Sequence, residues 1–167
     1  MTIWPASTET MTPLFRALVL APLAAWACTA RAAPALDDFN TAPHRDWLAV
    51  SGLSHHFQPD RRNWREVNPG VGLEREFSGT PWVAVAGYLR NSYDRNTFYV
   101  GGRWMPLELG PFRFGAFGLI ASGYQTSVLV LPAMSAQFGR VGANLVALPN
   151  LPGYSGYLGL QLRLALD

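Results

Sequence analysis

The 167-residue chain is 49% hydrophobic and only 14% charged, and its thirteen basic residues are all Arg, giving a net charge of +2. A nucleic-acid-binding protein needs a clustered basic face, whereas the Arg residues here are scattered. One Cys, Cys28, excludes a disulfide framework within the chain.

Residues 11–32, MTPLFRALVLAPLAAWACTARA, read as a signal peptide, with residues 1–32 removed and Met11 an alternative start. Arg16 gives a positive start, residues 17–29 an apolar run, and Ala30-Arg31-Ala32 a small-x-small cleavage site. The apolar run falls short of the roughly 20 residues that a spanning helix needs. A mature chain without Cys suits an oxidising envelope compartment. Residues 33–46 carry two prolines and several polar groups, as expected of a periplasmic leader or short interfacial helix.

From Trp47 the pattern changes to period two, the mark of a strand. Strand 1 is expected at 47–57, with Ala49, Leu53 and Phe57 on one face and Gly52, Ser54 and His56 on the other. A charged loop, 58–69, precedes strand 2 at 70–78. There Val71, Leu73 and Phe77 oppose Gly72, Glu74 and Glu76. Strand 3 (82–91) and strand 4 (97–106) flank a polar turn, and strand 4 sets Phe98, Val100 and Trp104 against Thr97, Tyr99, Gly101 and Arg103. Strand 5 (112–122) follows the Gly110-Pro111 breaker. Strand 6 (127–138) contains Pro132, and strand 7 (141–149) ends at Pro149. Strand 8, 157–166, carries Leu at every second position from 158 to 166.

Strands of about ten residues cross a bilayer when tilted, and an even number closes without leaving an edge in lipid. The pattern therefore predicts an all-β fold: an eight-stranded antiparallel transmembrane β-barrel spanning 47–167 after a cleaved signal peptide. The soluble alternative, a lipocalin-like barrel, would put Glu74, Glu76, Arg103, Arg113, Gln161 and Arg163 into an apolar cavity, which is costly. With a periplasmic N-terminus, the loops at 58–69, 92–96, 123–126 and 150–155 face outward. The shorter turns at 79–81, 107–111 and 139–140 face the periplasm.

His55-His56 ends strand 1 and Asn91-Ser92 ends strand 3 at the same rim. A Ser is a weak nucleophile until a base takes its proton, so a nearby His is the minimum for acyl chemistry. Alternation turns His56 inward and His55 outward; the bland reading makes both headgroup-level rim residues. A His-His pair on a strand points to opposite faces and no third ligand is evident, so no metal site is expected, and no motif calls for a cofactor. Arg61, Arg62 and Arg95 in the outer loops are candidates for lipid phosphate, the bland reading being a solvated rim.

The stretch LRNSYDRNTFYVGGRW at 89–104 resembles the third-strand region of the PagP lipid A palmitoyltransferases, in which Ser92 falls on the family's Ser and Asn91 on its Asp. The family's first-strand His matches His56, or else His55. LVLPAMSAQFG and NLVALPN resemble the two family segments whose prolines open the barrel wall, placing Pro132 and Pro149 at lipid access. The resemblance spans about 47–166 at low identity. It implies an outer-membrane acyltransferase that moves an acyl chain from phospholipid to lipid A or a related envelope lipid, with His56, Ser92 and Asn91 in the site. It also implies a Gram-negative outer membrane, phospholipid and lipopolysaccharide as partners, insertion by the barrel-assembly machinery, and a monomer.

Two positions depart from the family. Asn91 cannot carry a carboxylate's charge, and Arg103 stands where the family has a small Gly at the acyl-pocket floor. An inward Arg103 needs a partner, for which Glu74 and Glu76 are candidates, and it removes the ground for palmitate specificity. The competing readings are a non-catalytic structural or lipid-binding barrel and a lipid A deacylase-like hydrolase.

Overall fold

The computed structural model describes residues 32–57, 64–150 and 155–166. The rest of the expected signal peptide, together with Arg61 and Arg62, lies outside the described residues. A short 3-10 turn, Leu36–Asp38, precedes eight strands: β1 (His44–His56), β2 (Val67–Phe77), β3 (Trp82–Arg90), β4 (Asn96–Leu109), β5 (Phe112–Ala121), β6 (Val128–Phe138), β7 (Val141–Leu148) and β8 (Tyr157–Ala165). Each pairs antiparallel with its sequence neighbour and β8 closes on β1, so the sheet is a complete barrel. The ends of β1, β3, β5 and β7 and the starts of β2, β4, β6 and β8 share one end of the barrel, called the loop end. The tight turns lie at the other, the turn end.

The period-two pattern sorts side chains as a transmembrane barrel requires. Val71, Leu73, Phe98, Val100, Ile120, Val128, Val130 and Leu162 all stand exposed on the outer wall. Trp47, Glu74, Thr97, Arg103, Asn144 and Arg163 are buried inside. An apolar belt outside with buried charge within is the reverse of a lipocalin-like barrel.

Strand β1 departs from simple alternation. Its register with both β2 and β8 shifts between Ser51 and Leu53. Against β8, Gly52 is an extra residue, since Ser51 and Leu53 face the consecutive Gln161 and Leu160, whereas against β2 it stands opposite two residues, Asn68 and Pro69; the irregularity reverses the phase of β1. Ala49 is therefore buried inside while Leu53 is exposed outside, and the expected shared face of Ala49 and Leu53 is incorrect. β1 also starts three residues earlier than the pattern suggests, because His44, Arg45 and Asp46 continue the ladder against Phe77, Glu76 and Arg75. β4 runs on to Leu109, past its expected end at 106, through a second irregularity between Trp104 and Leu107.

The turn-end half of the barrel is filled by a polar network. Arg103 Nη2 donates to Glu74 Oε2 at 2.5 Å, and Asn144 Nδ2 donates to Glu74 Oε1 at 2.8 Å. Arg163 Nη1 reaches Glu76 Oε2 at 3.2 Å, and Arg113 bonds the same carboxylate. Asn144 also accepts from Ser135 Oγ and donates to Gln161 Oε1. Each buried charge thus has an opposite partner, as buried charge demands. Above this layer Tyr99 lies over glycines of two neighbouring strands: a Cβ at Gly72 or Gly87 would come within 2.5 Å of its hydroxyl.

Outside the wall at the turn end, the leader packs on β1 and β2. Phe39 meets the ring of Phe77 edge-on at 5.5 Å. The Arg75 guanidinium is held bidentately by Asp46 at 2.8 Å and also donates to Phe39 O and Asn40 Oδ1.

Candidate functional site

The loop-end half of the barrel encloses a cavity of about 390 Å³. Its walls are mostly aliphatic and aromatic, including Leu89, Phe117, Leu119, Leu131 and Val146. Its inner end is polar, formed by Ser51, Tyr99, Arg103, Asn144 and Gln161. The mouth carries His56, Trp64, Tyr93, Tyr124 and Tyr157. His56 stacks flat on Trp64 at 4.8 Å, Trp64 meets Tyr93 edge-on at 5.0 Å, and Tyr93 meets Tyr124 at 6.1 Å. The Tyr124 phenol, in the connection after β5, is pushed up to about 12 because burial disfavours its charged form.

Ser92 and His56 both line this cavity. Alternation beyond the bulge turns His56 inward. His55 points out, 3.4 Å from Glu66 Oε1. Among the described residues no hydrogen bond joins Ser92 to His56. The Ser92 hydroxyl lies 3.5 Å from both Ser54 Oγ and Asn68 Nδ2, and Ser54 Oγ donates to Asn68 Oδ1 at 2.7 Å. These two 3.5 Å contacts are at the weak limit of hydrogen bonding. His56 Nδ1 is buried with no hydrogen-bond partner. Ser54, Asn68 and Trp64 are thus part of the site although the sequence did not single them out. Ser54 had a readable signal, since it shares the inward parity of His56. Trp64 sits at the edge of the charged loop, where no periodicity marks a face, whereas Asn68 is the second residue of β2, which begins three residues before its expected start and continues the inward parity of Gly72, Glu74 and Glu76.

Asn91 is fully buried and braces the turn after β3. Its Oδ1 accepts from the Tyr93 and Arg95 N–H groups at 3.0 Å each. Its Nδ2 donates to Thr97 Oγ1 at 2.9 Å and to Gly123 O at 3.0 Å. All its polar capacity is spent on this loop and its neighbour, away from the Ser92 hydroxyl. Asp94 follows in the left-handed region, at φ 60°, a conformation Asp adopts more readily than most residues. Its carboxylate receives Arg90 Nε at 2.7 Å and Arg65 Nη1 at 2.6 Å, and these guanidinium groups hold it well below the usual carboxylate range. Arg95, also on this turn, gives its carbonyl to Asn91 N at 2.9 Å.

The wall beside the cavity is incomplete. β6 pairs with β7 only from Ala133 opposite Val146 to Phe138 opposite Val141. Val128–Pro132 pair with β5 on one edge alone, while Ala147 and Leu148 pair only with β8. Continuing the β6–β7 register puts Pro132 opposite Ala147 and Pro149 opposite Val130. Each Pro lacks the N–H that a ladder bond would use, so one stands on either side of the place where the ladder stops. Val128 and Val130, which face outward, belong to the cavity lining. The cavity therefore reaches the outer wall here.

Arg103 lies at the closed end of the cavity. Of its two candidate partners, Glu74 is the one that takes it. No protein-family model matches the chain, and no curated protein sequence matches it. The solution NMR structure of the de novo designed TMB2.3 is similar in fold. The two share 15% identity at a TM-score of 0.50, over 76% of this chain and 98% of the designed one. The chain is an eight-stranded, closed antiparallel barrel of the membrane type, with a cavity that opens at one end and through its wall.

Proposed function

We propose that this chain is a monomeric outer-membrane barrel of a Gram-negative bacterium that transfers an acyl chain from a phospholipid to lipid A or a related envelope lipid. The observation that carries this reading is the opening between β6 and β7 beside Pro132 and Pro149, which leads into a cavity lined by Ser92 and His56. A lipid in the surrounding leaflet enters sideways and lays its chain among Leu119, Leu131 and Phe117. Its ester then sits near the aromatic mouth.

The chemistry follows from the two polar side chains. His56 accepts the proton of the acceptor's hydroxyl as its oxygen attacks the ester carbonyl. The Ser92 hydroxyl donates to the carbonyl oxygen as negative charge develops there. Collapse breaks the bond to the glycerol oxygen, which takes back the proton, leaving acylated acceptor and lysophospholipid. Asn91 contributes by fixing the turn that presents Ser92. Arg61, Arg62 and Arg95 are assigned to lipid phosphate. Insertion is by the barrel-assembly machinery.

A second reading, a lipid-binding barrel without catalysis, is favoured by one observation: the Ser92 hydroxyl contacts Ser54 and Asn68, not His56. Expression in an outer membrane lacking its own acyltransferase separates the two by the mass of lipid A. A new acyl chain that vanishes in Ser92→Ala and His56→Ala supports transfer. An unchanged mass with a folded, inserted barrel supports the lipid-binding reading, and loss of a chain points to a hydrolase.

A further inference from the structure

Five aromatic side chains in unbroken contact form a collar at the mouth of the cavity. Tyr157, the first residue of β8, meets His56, the last of β1, with ring centroids 5.7 Å apart. His56 stacks on Trp64, Trp64 meets Tyr93 at an interplanar angle of 73°, and Tyr93 meets Tyr124 at 84°. All five line the cavity, so they are distinct from the aromatic girdle that a membrane barrel turns toward lipid. The series ends at Tyr124, in the connection after β5, and at Tyr157, at the start of β8. In the barrel order β6 and β7 lie between those two ends. The break in the collar therefore falls on the side where the wall opens.

A phospholipid that enters through that opening and lays its chain in the cavity leaves its headgroup among these rings. The surroundings there select by charge type. Among the described residues no Asp or Glu lines the cavity, and Arg103 lies at the opposite, closed end. A primary ammonium keeps three N–H donors, and taking them from water without an anionic partner is costly. A trimethylammonium has no N–H to satisfy, and the negative faces of several aromatic rings attract its charge. A neutral glycerol headgroup gains nothing from those faces and has hydroxyls to satisfy.

We infer that the aromatic collar is a binding site for a trimethylammonium headgroup, so that the lipid taken through the wall is a choline phospholipid. This rests on the reading that the cavity holds a phospholipid chain, and it names the headgroup.

Three probes with the same chain test it: dodecylphosphocholine, dodecylphosphoethanolamine and dodecylphosphoglycerol. Each is titrated into the barrel folded in nanodiscs of chain-deuterated phosphatidylglycerol. Intermolecular NOEs report the chain and the headgroup separately. Dodecylphosphocholine is expected to bind at least about fivefold tighter than either of the others, the worth of a desolvated cation–π contact. Its N-methyl protons are expected to show NOEs to the rings of Tyr93 and Tyr124. The preference is expected to vanish in Tyr93→Leu and Tyr124→Leu and to survive in Tyr93→Phe, which keeps the ring. Equal or weaker binding of the choline probe, or N-methyl groups without NOEs to the collar, overturns the inference. If the chain protons of the probes still show NOEs to Phe117 and Leu119, the lipid-chain reading stands. Absence of those chain NOEs for all three probes overturns both. The comparison of headgroups on the unaltered protein decides these outcomes even if a Leu variant fails to fold.

Discussion

Arg103 Nη2 and Glu74 Oε2 meet at 2.5 Å with both side chains almost wholly inside the barrel. Glu74 also takes Asn144 and the more distant Arg163, whereas Glu74 is the carboxylate that Arg103 has. The two partners are therefore not equivalent. Glu74→Ala leaves a buried guanidinium unpaired and is expected to cost about 3–5 kcal/mol, the range for breaking a buried pair. Arg103→Met leaves Glu74 with other donors and is expected to cost less. Urea unfolding of the two variants in lipid vesicles gives the order.

Gly101 permits close approach of β4 and β5. A Cβ there would collide with the Gly118 carbonyl oxygen and stand 2.7 Å from Leu119 Cα, both of which are backbone. Gly101→Ala is expected to cost roughly 1–3 kcal/mol, as overpacking does. Gly118→Ala meets nothing within 4 Å and is expected to be nearly neutral. Heat-modifiable gel mobility ranks the two.

Asn91 braces the turn with two accepted and two donated hydrogen bonds. Asn91→Asp keeps the acceptors but sets a carboxylate oxygen against the Gly123 carbonyl. A stability loss of about 1–3 kcal/mol is expected from the buried groups left unpaired. If Asn91 instead stood in for a catalytic carboxylate, Asn91→Asp would raise activity and leave stability unchanged. Unfolding and turnover measured on the same variant tell these apart.

Asp94 links Arg90, at the end of β3, to Arg65, just before the neighbouring β2. Its pKa in the folded chain is depressed, first by the Arg90 hydrogen bond and then by that from Arg65. A depressed carboxylate contributes stability above its unfolded pKa, about 3.9, and loses it as pH falls through the folded value. The turn is thus expected to stay braced throughout neutral and mildly acidic pH and to loosen only below about pH 4. Carboxyl ¹³C titration of Asp94 checks this; an unshifted midpoint contradicts it.

Much of the fold was legible because a membrane barrel writes both faces into each strand. The Leu residues of β8 and the Glu74–Glu76 pair of β2 identify outside and inside directly. The errors fall where local geometry overrides the period. The Gly52 bulge reverses β1, and nothing in the composition of WLAVSGLSHHF distinguishes a bulge from an ordinary glycine. In β3, Val83 and Val85 are buried while Ala84 and Ala86 face outward, and both faces are apolar, so the pattern alone leaves their direction open. In the site, the inward parity of His56 and the two prolines were readable. The commitment of Asn91 to the 122–127 connection was not, because that contact spans 32 residues and exists only once the barrel closes. The collar of Trp64, Tyr93 and Tyr124 comes from three separate connections and has no local signature.

In the proposed acyl transfer, a lipid chain passes between β6 and β7 into the cavity. Photo-crosslinking with a phospholipid that carries a diazirine at the end of one acyl chain tests it most directly, in the barrel folded into vesicles. Adducts are expected on cavity residues such as Phe117, Leu131 and Tyr99, reduced when Pro132→Ala and Pro149→Ala restore two backbone donors at the opening. Adducts confined to the outer wall, on residues such as Val71, Leu73 and Val100, would contradict it.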